Sequence, residues 1–131
     1  MNIEIERRFV VRGKGWKDYA NDSQLLKQGY LASKVDNWTV RVRIEPEKQA
    51  WLTLKYPHNG NANNEFEYLI PLEEAELIWQ KTSNRLSKTR FPLTIQNGDW
   101  VVDVFEGDNS SLVIAEVELS SFKQNIEKPS W

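Results

Sequence analysis

A chain of 131 residues with 40% hydrophobic and 27% charged side chains has the size and apolar content of one folded domain, and needs neither disulfides nor structural zinc to complete a core. It contains no cysteine, which excludes thiol catalysis, zinc-ribbon sites and a disulfide scaffold. With 17 basic residues against 19 acidic ones, it lacks the chain-wide positive charge of a nucleic-acid binder, so the arrangement of the charges carries the information.

In chain order, the acidic start Met1-Asn2-Ile3-Glu4 does not read as a secretory signal, and no apolar run approaches the roughly 18 residues of a membrane span. The expectation is a soluble cytoplasmic protein without membrane or nucleic-acid partners. Ile3–Phe9 alternates apolar and charged residues as a half-buried strand does. A short helix is expected at Trp16–Ala20, with Ser23–Lys27 as its extension, followed by a weaker strand at Lys27–Ser33. Thr39–Ile44, Trp51–Lys55 and Glu65–Ile70 read as strands, with an Asn/Gly-rich loop over His58–Asn64. Pro71 leads into a helix over Leu72–Lys81, which has acids in its first turn and a lysine in its last, as the helix dipole favours. Lys88–Ile95 is a strand whose Pro92 predicts an edge position or a bulge. A tight turn at Asn97-Gly98-Asp99, a strand at Trp100–Phe105, a loop over Gly107–Ser111 and a strand at Val113–Leu119 complete the chain. These make about eight strands with hairpin-length links and few helices, hence a mainly β, antiparallel architecture over residues 1–131, closed as a barrel or folded as a sandwich.

Residues two apart on a strand share a face. Ile3 and Ile5 oppose Glu4, Glu6 and Arg8; Val40, Val42 and Ile44 oppose Arg41 and Arg43; Leu52 and Leu54 oppose Trp51, Thr53 and Lys55. Phe66 and Tyr68 oppose Glu65 and Glu67, Val102 and Val104 oppose Asp103 and Phe105, and Ala115 and Val117 oppose Glu116 and Glu118. A solvated sheet face would give the same alternation. Its charges would mix in sign along each strand, whereas here acid pairs (Glu4/Glu6, Glu65/Glu67, Glu116/Glu118) and basic pairs (Arg41/Arg43, Lys88/Arg90) occupy separate strands. If the sheet closes with this ionic face inward, the carboxylates call for a hard divalent cation and the arginines and lysines for a polyanion. A metal-bound polyphosphate meets both demands.

The motifs Glu4-Ile5-Glu6-Arg7-Arg8, Gln28-Gly29-Tyr30-Leu31, Arg41-Val42-Arg43, Thr53-Leu54-Lys55, Glu65-Phe66-Glu67-Tyr68, Lys88-Thr89-Arg90, Asp103-Val104-Phe105 and Glu116-Val117-Glu118-Leu119, taken in this order, resemble the CYTH superfamily of triphosphate tunnel metalloenzymes. The resemblance implies one antiparallel eight-stranded barrel with a few short helices packed outside, its tunnel holding triphosphate and Mg²⁺ or Mn²⁺. It implies a metal set of Glu4, Glu6, Asp103, Glu116 and Glu118, and a phosphate-binding set of Arg8, Arg41, Arg43, Lys55, Lys88 and Arg90. Glu65 and Glu67 would form a supporting acidic wall, and Glu4, Glu6, Arg8 and Lys55 would be the catalytic group. Arg8 departs from the family's usual lysine. The chain reads as short at Lys128-Pro129-Ser130-Trp131, which would leave one tunnel end more open or covered by a partner subunit such as a second copy of the chain.

The activity this implies is metal-dependent hydrolysis of inorganic triphosphate or another triphosphate-containing small molecule. The alternatives are an adenylate cyclase making cyclic AMP from ATP and a non-catalytic polyphosphate- or nucleotide-binding protein. The lone His58, in its Asn/Gly loop, reads as a solvated residue, and Trp16, Trp38, Trp79 and Trp100 read as packing residues around the barrel. Trp51 shares the face of Lys55 and is a candidate for a tunnel mouth.

Overall fold

The period-2 runs close on themselves. In the computed structural model, which describes residues 3–60, 62–95, 98–121, 124, 126 and 128–131, the strands are β1 (Ile3–Val10), β2 (Gln24–Val35), β3 (Trp38–Glu45), β4 (Gln49–Pro57), β5 (Ala62–Ile70), β6 (Arg85–Pro92), β7 (Asp99–Phe105) and β8 (Val113–Glu118). They form a closed barrel in the order β1-β5-β4-β3-β2-β6-β7-β8, with every neighbouring pair antiparallel. Closure leaves no unpaired sheet edge. The helix α1 (Leu72–Lys81) carries the chain across the outside from β5 to β6.

Local chemistry sets the turns. Asp36 and Asn37 take φ of 51° and 71° between β2 and β3, the two-residue left-handed hairpin turn that matches strand twist. Gly98 has φ of 145°, and a Cβ there would stand 2.6 Å from Val117 Cγ2, so only glycine fits this entry to β7. Asn97, of the expected Asn97-Gly98-Asp99 turn, lies outside the described residues.

Three expectations are corrected. Ser23–Lys27 does not extend a helix: β2 starts at Gln24, and Leu26 is 2% exposed inside the barrel while Lys27, on the outside, reaches Glu76 of α1 at 3.2 Å. β6 starts three residues earlier than expected and ends at Pro92, so the proline closes the strand and breaks no ladder within it. The 58–64 loop is shorter than its composition suggests, because β5 resumes at Ala62 and pairs Asn63 and Asn64 with Pro57 and Tyr56.

The apolar faces point outward and are covered there. α1 lays Ala75, Leu72, Ile78 and Trp79 over Val42, Ile44, Ala50 and Ile70. On the opposite arc Ile5, Trp100, Val102, Ala115 and Val117 pack with Trp16, Leu93 and Trp131. Burying each large aliphatic side chain in these layers contributes roughly 1.5–3 kcal/mol. Trp131 lies against Gly13 and Gly15 and edge-on to Trp100, with ring centroids 6.2 Å apart. Trp38 packs edge-on against Tyr56 outside the barrel, and Trp79 sits between Lys27 and Arg85. With two apolar covers outside, the ionic faces have only the interior left to them. No helix among the described residues is long and apolar enough to cross a membrane.

Candidate active site

The interior holds a cavity of about 490 Å³. Its lining includes Glu4, Glu6 and Arg8 of β1, Arg41 and Arg43 of β3, Lys55 of β4, Glu65 and Glu67 of β5, Lys88 and Arg90 of β6, and Glu116 and Glu118 of β8. Every residue of the expected metal, phosphate and acidic-wall sets therefore faces one space except Asp103. Cross-strand register brings β1 and β8 together, with Glu6 opposite Glu118 and Arg8 opposite Glu116, so one wall is carboxylate-rich. The basic residues come mainly from β3, β4 and β6.

Several of the acids lie against a cation, Arg8 reaching Glu6 and Glu116 and Lys55 reaching Glu4 and Glu65. Lys55 Nζ lies 2.8 Å from Glu4 Oε1 and 3.4 Å from Glu65 Oε2. Burial pushes the Glu4 carboxyl up, but Lys55 outweighs it and holds the group below its ordinary value. Glu65, in contrast, is pushed up to about 7 by burial and by the Glu4 charge. Glu6 is raised by burial and by Glu116 and Glu4, and Glu118 by burial, Glu4 and Asp99. Like charges thus crowd this wall beyond what the nearby cations relieve. Among the described residues no three carboxylates stand close enough to share a metal ion, and Glu4, Glu6 and Glu116 are drawn toward basic partners.

The cationic side is held by a second set of contacts. Arg43 Nε donates to Gln28 Oε1 at 2.7 Å, and Gln28 Nε2 donates to the Tyr30 hydroxyl at 2.9 Å. Burial, with Arg41 and Arg90 nearby, lowers Arg43 to about 10. Lys88 is lowered to about 8 by burial and by Arg90 and Arg43, although Asp103 lies 2.7 Å away. Arg41 is only 8% exposed, and its Nε has no hydrogen-bond partner. Burying such a donor unpaired is costly unless something else is meant to meet it.

Asp103 departs from its expected part in the metal set. It has the inward parity but is 0% exposed and does not line the cavity. Arg90 donates from Nε to Oδ1 at 2.8 Å and from Nη2 to Oδ2 at 3.0 Å, and Lys88 takes Oδ2 as well, so both oxygens are committed. Burial pushes this carboxyl up, but the Arg90 hydrogen bonds and Lys88 hold it below its usual range. Its contribution to stability is therefore present above the unfolded-state carboxylate pKa and is lost as pH falls through the depressed folded value. Asp103→Asn is expected to lower unfolding stability in urea by about 3 kcal/mol at neutral pH, because it leaves buried cations without their counter-charge.

Sequence reasoning missed several wall residues. Gln28 and Tyr30 lie in a recognised motif but carried no charge to assign them a role. Leu86, Val101 and Ile114 line the cavity at inward positions where an apolar residue looks like core, and Asn109 reaches it from a loop without periodicity. Trp51 has the inward parity but is not part of the lining. His58 is exposed, as expected.

These features were compared with known proteins. A sequence model of the CYTH domain matches residues 2–131. An inorganic triphosphatase of Acetivibrio thermocellus is 37% identical over 133 residues, covering 100% of this chain and 83% of its own length. The crystal structure of the inorganic triphosphatase NE1496 superposes with a TM-score of 0.64 at 30% identity, over 98% of this chain and 82% of that one. The PH1012 protein from Pyrococcus horikoshii OT3 shares the fold, with a TM-score of 0.72 at 16% identity over 92% of this chain and 80% of that one. With the domain matched along almost its whole length and a relative similar from end to end, the chain belongs to the CYTH domain family.

Proposed function

We propose that this protein is a phosphohydrolase that cleaves a terminal phosphoanhydride bond of inorganic triphosphate with the help of a divalent cation. The observation that carries this reading is the buried, unpartnered Nε of Arg41 in a cavity that also gathers Arg43, Lys55, Lys88 and Arg90. Converging buried cations require a polyanion, and guanidinium forks suit phosphate oxygens. The relatives named inorganic triphosphatase support the same substrate.

The donor chemistry fits a metal. Glu4, Glu6, Glu116 and Glu118 are hard oxygen donors on adjacent strands; burial, together with repulsion from neighbouring acids, pushes Glu6 and Glu118 up, and a dication would offset both. These carboxylates would hold Mg²⁺ or Mn²⁺, which when bound would supply positive charge for the phosphate oxygens. Arg41, Arg43 and Arg90 grip the phosphate chain and stabilise charge on the departing group. We assign Lys88 to taking the proton from the attacking water, since a lysine lowered to about 8 is partly neutral near physiological pH. Arg90 keeps Asp103 matched by two hydrogen bonds when Lys88 is neutral. Asp103 is the positioning residue for both cations. Glu65 and Glu67 act as supporting acids: Glu65 holds Lys55, and Glu67 accepts a hydrogen bond from Thr53 Oγ1 at 2.8 Å.

The test is phosphate release from triphosphate, ATP and thiamine triphosphate in Mg²⁺, in Mn²⁺ and after EDTA. Rapid release from triphosphate that depends on metal is expected, and Glu116→Gln should move the metal titration to higher concentration with partial rescue in excess metal. Cyclic AMP formed from ATP would favour the cyclase, and tight triphosphate binding without turnover in either metal would favour a binding protein.

A further inference from the structure

Arg8 is held differently from the other cations of the cavity. Its side chain is 59% exposed, against 13% for Lys55, 6% for Lys88 and 17% for Arg90. From that open position it spans two acids, with Nη2 3.2 Å from Glu6 Oε1 and Nε 3.3 Å from Glu116 Oε1. Both belong to the carboxylates best suited to a divalent cation. The guanidinium therefore neutralises the same oxygens that a metal ion would claim.

We infer that Arg8 is an exchangeable counter-ion, displaced from Glu6 and Glu116 when a divalent cation binds and thereby freed to take a phosphate oxygen. This rests on the triphosphatase reading for the identity of the anion. The physical argument starts from the exposure of Arg8: an ion pair open to water contributes little, so a dication that gains two hard carboxylates readily outcompetes it. Metal and guanidinium then repel each other across the same acids. The released side chain is always charged, has five donors and stands on the cavity wall, where it can turn to a phosphate oxygen. A lysine at this position presents one compact ammonium and bridges the two acids less well, which makes the arginine fork the feature that couples metal arrival to phosphate capture. By linkage, triphosphate must then favour metal binding to the same degree that metal favours triphosphate.

The experiment is Mn²⁺ binding without triphosphate, followed by calorimetry and by the electron paramagnetic resonance signal of free Mn²⁺, for wild type, Arg8→Gln, Arg8→Lys and Arg7→Gln. Arg7 lies on the outer face, over the Phe9 ring, and its loss removes the same net charge away from the acids. Arg8→Gln should bind Mn²⁺ about five-fold more tightly, the equivalent of about 1 kcal/mol, with Arg8→Lys between it and wild type. Arg7→Gln should change affinity by less than about two-fold, as screening weakens a remote charge. Unchanged or weaker Mn²⁺ binding in Arg8→Gln would overturn the proposal, as would an equal gain in Arg7→Gln. Because the titration needs no turnover, the two readings fail separately. Tighter Mn²⁺ binding in Arg8→Gln without triphosphate cleavage sustains the counter-ion and sinks the activity. Cleavage by a protein that binds no Mn²⁺ or Mg²⁺ sustains triphosphate hydrolysis, removes its metal dependence and overturns the counter-ion.

Discussion

Lys88→Arg is expected to lower kcat for triphosphate at least about 100-fold while leaving triphosphate binding nearly intact. The substitution keeps a positive charge beside Asp103 and Arg90, so a residue that serves only as a phosphate anchor would tolerate it. Arginine cannot give up its proton in the working range, so a residue that must accept one would not. The wild-type profile should agree: log kcat/KM rises with pH while Lys88 is protonated in the free enzyme and levels off above about 8, where its neutral form predominates. Lys88→Ala should be as slow as Lys88→Arg and should also lose affinity. Near-normal turnover by Lys88→Arg, or a rising limb unchanged by the substitution, would return the residue to simple phosphate binding.

Arg41→Met should separate stability from function in opposite directions. In the free protein the buried guanidinium has an unpartnered Nε, and a thioether side chain of similar length removes that cost. Urea denaturation without ligand is expected to find the variant more stable by about 1 kcal/mol, the lower end of the cost of an unsatisfied buried donor, because Arg41 also lowers the Glu4 carboxyl pKa and that help is lost. The same change should raise KM for triphosphate roughly 10- to 100-fold, the value of one or two hydrogen bonds to a charged group. An Arg41→Met protein that is less stable and binds triphosphate normally would mark the arginine as a framework residue and remove the main support for a polyanion in the cavity.

The interior of the barrel was readable in advance to an unusual depth because alternation along a strand is a local property. Glu4 and Glu6, Arg41 and Arg43, and Glu116 and Glu118 must each share a face wherever their strand is placed, and the aliphatic residues between them state which face is covered. Ser23–Lys27 was misread because the polar residues of this strand find partners distant in sequence: half-buried Gln24 meets Glu45, and buried Gln28, just past the segment, meets Arg43. Nothing within five residues records those partners. The inward apolar residues Leu86, Val101 and Ile114 were missed for the converse reason, since an apolar side chain carries no sign of whether it lines a cavity or fills a core.

The chain's own residues determined an antiparallel β protein with one ionic face, one aliphatic face and charges sorted by strand, and the ordered motifs narrowed this to a barrel. The tertiary structure decided which acid answers which base. Asp103 was assigned with the metal carboxylates by parity and resemblance, yet the pairing of β6 with β7 sets it opposite Arg90, and both its oxygens are consumed beneath the cavity wall. Arg8 was expected on phosphate, yet the pairing of β1 with β8 sets it opposite Glu116. Facing is fixed by the geometry of one strand, whereas pairing depends on the register between strands distant in sequence, and in electrostatics the partner determines what a charge can do.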